Sequence, residues 1–172
     1  MFIYYNERVL ERTVSLDAGS TIEDGIRVMA KYGACDETDW PYDISQFTVK
    51  PSVAAYDAAV ARKIKAYASV NNQELNVLKR VISAGYPVIF GFNVYDSFES
   101  QAVATTGIAT MPVSRDTLLG GHAALLVGYD DSTQMFKVRN SWGYSWGDRG
   151  YFYLPYAYMT DPELAGDAWV IS

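Results

Sequence analysis

The sequence predicts an α+β fold in one chain of ordinary domain size, helical over about residues 1–60 and β-rich over about 61–172. Three observations carry this. Apolar residues recur at helical spacing near the N-terminus, as in Phe2, Tyr5 and Val9, and again in Ile22, Ile26 and Met29. The later half holds short apolar runs bounded by Gly and Asp, such as Pro87–Val94 and Ala123–Val127. No linker-like composition divides the two parts, so both belong to a single domain, 1–172.

Taken in order, Phe2–Val9 reads as a first helix, and Ser15–Gly19 as a loop. Ser20-Thr21-Ile22-Glu23 reads as a capping box with Ser20 as N-cap, and Gly33 ends the helix that follows. Lys63–Val70 alternates in the manner of a half-buried strand. Asn72 is placed to cap a helix whose apolar face is Leu75, Leu78 and Ile82, with Gly85 ending it. Pro87–Val94 predicts a central strand, and Tyr95–Gly121 a long irregular stretch. Ala123–Val127 and Gln134–Arg139 flank the turn signal Asp130-Asp131-Ser132-Thr133. Gly150–Leu154 and Ala168–Ile171 read as the last two strands.

The 172 residues are 49% apolar and 15% aromatic, enough for a sizeable core. A net charge of −6 argues against nucleic acid and against an anionic membrane surface as partners. No run approaches the ~18 apolar residues of a membrane span. The first residues lack the basic-then-apolar order of a signal peptide. One cysteine permits no internal disulfide, and with no signal peptide the reading favours the cytoplasm. One His and one Cys build no zinc site of ordinary spacing, and no phosphate loop or dinucleotide motif is present, so neither metal nor cofactor is implied.

The only histidine, His122, heads the apolar strand His-Ala-Ala-Leu-Leu-Val-Gly-Tyr. A hairpin centred near Asp131 sets His122 opposite Asn140, at the head of Asn-Ser-Trp-Gly-Tyr-Ser-Trp-Gly-Asp-Arg-Gly-Tyr. Cross-strand neighbours lie ~4.5–5.5 Å apart, within reach of an imidazole–carboxamide hydrogen bond. A lone His in an apolar strand is more often a core residue. The Asn-Ser-Trp-Gly run and its second Trp-Gly shift that balance towards a site.

These two stretches resemble the His and Asn motifs of the papain-like cysteine peptidases, in order and residue for residue. The resemblance implies a papain-like fold: part of a helical lobe plus an antiparallel, β-barrel-like lobe, without the central helix that bears the nucleophile. It implies peptide-bond hydrolysis by a thiol, with His122 as general acid/base and Asn140 orienting the imidazole. Trp142 is then the shield of the Asn–His bond, and Trp146 lines the leaving-group side. Ala18 and Gly19 resemble the Gly-rich loop that offers backbone hydrogen bonds to substrate. Gly91, Ala123 and a residue near Asp167 correspond to the main specificity pocket. An Asp167 at its floor favours a basic substrate group, but beside Gly166 the stronger reading is a solvated turn residue.

Cys35 is a poor match to the family's nucleophile. Its surroundings, Gly-Ala-Cys-Asp-Glu, are not the family's Cys-Gly-Ser-Cys-Trp-like signature. The family's His follows its nucleophile by ~130–150 residues, and Cys35 precedes His122 by far less. Asp36, Glu37 and Asp39 disfavour a thiolate. The expectation is therefore a nucleophile upstream of Met1, and a chain that is a truncated gene or a processed product, inactive alone. In the family the nucleophile's helix runs between the lobes. Its absence predicts exposed apolar surface, and hence a homo-oligomer or a separately supplied N-terminal segment. The expected partner is a peptide or protein substrate. The alternative is a non-catalytic papain-like scaffold that holds peptide or a protein partner.

Overall fold

The computed structural model describes residues 1–172 and contains six α-helices and a six-stranded antiparallel sheet. The chain divides into two compact units, Met1–Tyr67 with Ile171–Ser172, and Ala68–Val170.

The first unit is helical. Helix α1 (Phe2–Glu11) packs on α2 (Ile22–Tyr32), and α3 (Val53–Ala59) follows after a loop. Phe2, Ala55 and Ala59 form its small buried cluster, with Tyr32, Cys35, Trp40 and Tyr56 against it. The N-cap of α2 is Thr21, one residue later than predicted. Its hydroxyl accepts from the Asp24 N–H at 3.1 Å, while Ser20 Oγ donates to Glu11 at 2.8 Å. Both residues suit a cap, and the tie between Ser20 and α1 decides which one serves. Gly33 ends α2 as predicted, at φ 87°. A Cβ there would lie 1.8 Å from the Ala59 carbonyl oxygen, so only glycine lets the segments approach.

The second unit is built on the sheet. Strands β1 (Tyr67–Ser69), β2 (Val88–Tyr95), β3 (Leu118–Asp130), β4 (Met135–Arg139), β5 (Tyr151–Pro155) and β6 (Ala165–Ile171) lie in the order β1-β6-β2-β3-β4-β5. Strict alternation along β2 buries Val88, Phe90, Phe92 and Val94. They join Leu126, Phe136, Val138, Phe152, Leu154 and Leu78 of α4 (Leu75–Ser83) in one core. Each such side chain contributes about 1.5–3 kcal/mol on burial.

Four readings of the sequence are corrected. The strand predicted over Lys63–Val70 shortens to β1. Asn72 does not cap α4, whose N-cap is Glu74 without a side-chain bond. Asn72 is instead buried, and its Nδ2 donates to the carbonyls of Met159 (2.7 Å) and Ala165 (3.1 Å). A side chain with two long-range acceptors gains more there than at an exposed cap. The irregular Tyr95–Gly121 stretch contains helix α5 (Gln101–Thr106), capped by Ser100, and β3 already begins at Leu118. Finally, the β3–β4 register differs from the predicted one. Leu125 pairs with Arg139 and Leu126 with Val138, and an irregularity between Leu126 and Gly128 shifts the rest. Already next to the turn Asp130 pairs with Met135, so the hairpin is centred between Ser132 and Thr133 rather than at Asp131, and the bulge recovers only one residue of that offset. A sixth helix, α6 (Tyr156–Thr160), gave no periodic signal. No helix is long and apolar enough to cross a membrane.

Candidate active site

His122 lies on β3, paired with Phe92 of β2. Phe92 is buried, and its ring meets the imidazole edge-on at 5.6 Å, so the sheet core fixes the base of the histidine. Asn140 follows β4, and its N–H donates to the Gly150 carbonyl at 2.9 Å. Continuing the observed β4 register sets Asn140 diagonal to His122 on the same face rather than directly opposite. Diagonal pairs are ~7–8 Å apart at the backbone, within reach of long side chains. The contact forms: His122 Nε2 lies 2.9 Å from Asn140 Oδ1.

That hydrogen bond fixes a tautomer. Asn140 Oδ1 also accepts the Ser141 N–H at 2.8 Å. An N–H needs an acceptor, so the oxygen of the carboxamide, not its nitrogen, faces this way. The imidazole atom beside the same oxygen must then be a donor. Nε2 carries the proton, and in the neutral ring Nδ1 holds the free lone pair. The Asn140 Nδ2 is buried with no hydrogen-bond partner, so the carboxamide is held by its oxygen alone.

Aromatic rings pack against His122. Trp142 stacks on His122 at 5.0 Å and 29°, and Trp146 stands perpendicular to Trp142 at 4.9 Å. Phe98 supports both tryptophans, at 5.8 and 5.7 Å, and meets Phe152 at 5.1 Å. The sequence reading missed Phe92 and Phe98 as supports. Phe92 was visible as an inward position of β2. Phe98 lies in a Ser-rich stretch with no periodicity, and nothing local marks it. The loop carrying the tryptophans turns on Gly147, at φ 61°, where a Cβ would lie 2.4 Å from the Tyr151 carbonyl oxygen.

Gly91 pairs with Ala123 on one side and Gly166 on the other, which places these small residues side by side across three strands. Ala123 also lines a shallow hollow of about 270 Å³ with Ile89, Leu125 and Asn140. Asp167 follows Gly166, exposed and at φ 49°, and its Oδ1 accepts from Trp169 Nε1 at 2.6 Å.

The other predicted residues lie in the helical unit. Ala18 and Gly19 occupy the loop between α1 and α2. Gly19 (φ 72°) turns both main-chain groups inward: its N–H donates to the Tyr4 hydroxyl at 3.3 Å, and its carbonyl accepts from Arg8 Nη1 at 2.5 Å. Cys35 is half-buried against the Phe2 cluster. Burial pushes its thiol pKa up, and the carboxylates of Asp39 and Asp36 add to that. The chain gathers no group of three or more His, Cys, Asp or Glu side chains that could hold a metal.

A family model described as papain family cysteine protease matches residues 17–166. An uncharacterized peptidase C1-like protein of Acanthamoeba polyphaga mimivirus is 44% identical over 178 residues, covering 99% of this chain and 57% of that protein. Cathepsin B-like cysteine proteinase 4 of Caenorhabditis elegans is 33% identical over 119 residues, covering 68% of this chain and 33% of that one. The crystal structure of xylellain, a cysteine protease from Xylella fastidiosa, superimposes with a TM-score of 0.90 at 42% identity, over 99% of this chain and 68% of that chain. The chain thus spans little more than half of the mimivirus protein and a third of the nematode one.

Proposed function

Because the chain belongs to the papain family of cysteine proteases, we propose that it supplies the base and its orienter for peptide-bond hydrolysis by a thiol. The observation that carries this reading is the His122 Nε2–H···Asn140 Oδ1 bond. With Nε2 held as donor, Nδ1 takes the thiol proton. The thiolate attacks the scissile carbonyl carbon, and the imidazolium then returns that proton to the leaving amine. Trp142 keeps water from the Asn–His bond. Gly91 and Ala123 leave room for a substrate side chain. Asp167, exposed and already engaged by Trp169, supports the solvated-turn reading over a pocket floor.

On this reading the thiol that His122 serves is not Cys35, whose Gly-Ala-Cys-Asp-Glu surroundings lack the family's nucleophile signature. Burial and two carboxylates also push its pKa up, whereas a nucleophile needs a lowered one. Residues 1–172 alone are then inactive, and the thiol comes from outside them. The same observation favours a second reading, a non-catalytic scaffold that holds peptide. Fluorogenic-peptide hydrolysis tests both, using the chain alone and the chain within a protein that carries such a thiol. The expected result is no turnover by residues 1–172 and full turnover by the longer protein. There, His122→Ala costs about 10²–10⁴-fold in kcat, while Cys35→Ser costs nothing. Loss of activity in Cys35→Ser overturns the assignment. A longer protein with an intact thiol and no turnover on any peptide favours the scaffold.

A further inference from the structure

Arg8 is the one charged side chain buried completely, at 0% exposure. It leaves α1 and its guanidinium is spent on the loop after that helix. Nη1 donates to the Gly19 carbonyl at 2.5 Å and to the Tyr4 hydroxyl at 3.3 Å. Nη2 donates to the Thr13 carbonyl at 2.7 Å and to that of Leu16. Its Nε has no hydrogen-bond partner, and the nearest carboxylate oxygen, Glu11 Oε2, is 4.0 Å away. Tyr4 completes the clamp: its hydroxyl donates to the Asp17 carboxylate and accepts the Gly19 N–H. Burying a guanidinium mainly among neutral carbonyls is costly, and the chain bears that cost at a loop rather than in its core.

The clamp has a consequence for Ala18. Both Gly19 main-chain groups and the Leu16 carbonyl are turned inward. Ala18 between them is exposed, and its own N–H and C=O have no partner in the chain. One exposed residue with a free N–H and C=O, between groups that a buried side chain holds inward, is able to pair with the main chain of an extended peptide. We propose that Arg8 is a positioning residue, whose guanidinium holds the 13–19 loop so that Ala18 hydrogen-bonds the backbone of a bound peptide. This rests on the peptide-binding reading above and adds the residue that sets up the contact. Only arginine fits the role: its planar fork reaches three carbonyls at once, and a lysine ammonium is a single point.

The test is an amide NMR titration of residues 1–172 with an unlabelled, blocked hexapeptide, Ala-Phe-Ala-Arg-Ala-Ala. The Ala18 amide is expected to shift on binding. Arg8→Lys is expected to weaken binding about tenfold, to abolish the Ala18 shift and to speed amide exchange over residues 16–19. Tyr4→Phe removes only the hydroxyl and is the milder variant, expected to weaken binding about threefold; it decides the matter if Arg8→Lys does not fold. Binding within the error of wild type in the folded variants, or peptide binding that leaves Ala18 unshifted, overturns the role of Arg8 alone. A wild-type chain that binds no peptide overturns the peptide-binding reading together with it.

Discussion

Asn140 shows how much one side chain can settle. Its oxygen takes two donors, His122 Nε2 and the Ser141 N–H, and that pairing names the imidazole nitrogen left to act as base. Asn140→Ala removes the acceptor, and the ring can then adopt either tautomer or rotate. In an active protein carrying the thiol, kcat is expected to fall about 10²-fold or more with KM little changed, because the lost interaction acts on the base and not on substrate binding. Steady-state kinetics on one peptide read that split; a rise in KM at unchanged kcat contradicts it. The Asn140 Nδ2 makes no hydrogen bond, so the contacts of its carboxamide run through the oxygen.

At the scale of elements, the contact between α1 and α2 contains a carboxyl that opposes its own ionisation. Gly25 of α2 faces Glu7 so closely that a Cβ there would lie 2.5 Å from Glu7 Oε1. Burial first, then the charges of Glu11 and Asp24, together raise the Glu7 pKa from 4.5 to about 7 against the opposing pull of Arg8. Between those two pH values the folded chain binds more protons than the unfolded one. The stability this carboxyl contributes is complete below about pH 4.5 and is lost as pH rises through about 7. Thermal unfolding is therefore expected to show a midpoint that falls from pH 5 to pH 8, with Glu7→Gln flattening the fall. An equal fall in wild type and variant places the titration elsewhere. In the second unit the elements are tied by rings instead, with Phe98 bridging the segment after β2 to both tryptophans of the loop between β4 and β5.

For the whole molecule, apolar side chains stay uncovered in both units. Leu118 and Leu119 at the start of β3 are 53% and 51% exposed, and Val9 and Leu10 of α1 are 43% and 47% exposed. Adjacent exposed apolar residues of this kind favour association. Sedimentation at rising concentration is expected to show self-association of residues 1–172, weakened by Leu118→Ser with Leu119→Ser. A monomer at every concentration removes this expectation.

The helical and β-rich parts, and the candidate pair His122 and Asn140, were legible in the sequence because each rests on local order. Alternation marked β2, periodicity and a terminal glycine marked α2, and two dense motifs marked the pair. What local order does not encode is which distant partner a polar or aromatic group will find. Asn72 was a good cap by its neighbours and became a buried anchor for two remote carbonyls. The predicted hairpin register failed because the turn is centred between Ser132 and Thr133 rather than at Asp131, and His122 still met Asn140 because the bulge in β3 recovers part of that offset and diagonal side chains span the remainder. Phe98 and Arg8 gave no signal at all. Their roles exist only where the tertiary fold brings rings together and closes a loop over a buried charge. The sequence by itself determined which two residues form the pair, the family motifs around them and the periodic elements. Only the tertiary structure decided the tautomer, the ring packing against His122 and the inward turn of Gly19, since each depends on contacts between residues far apart in the chain.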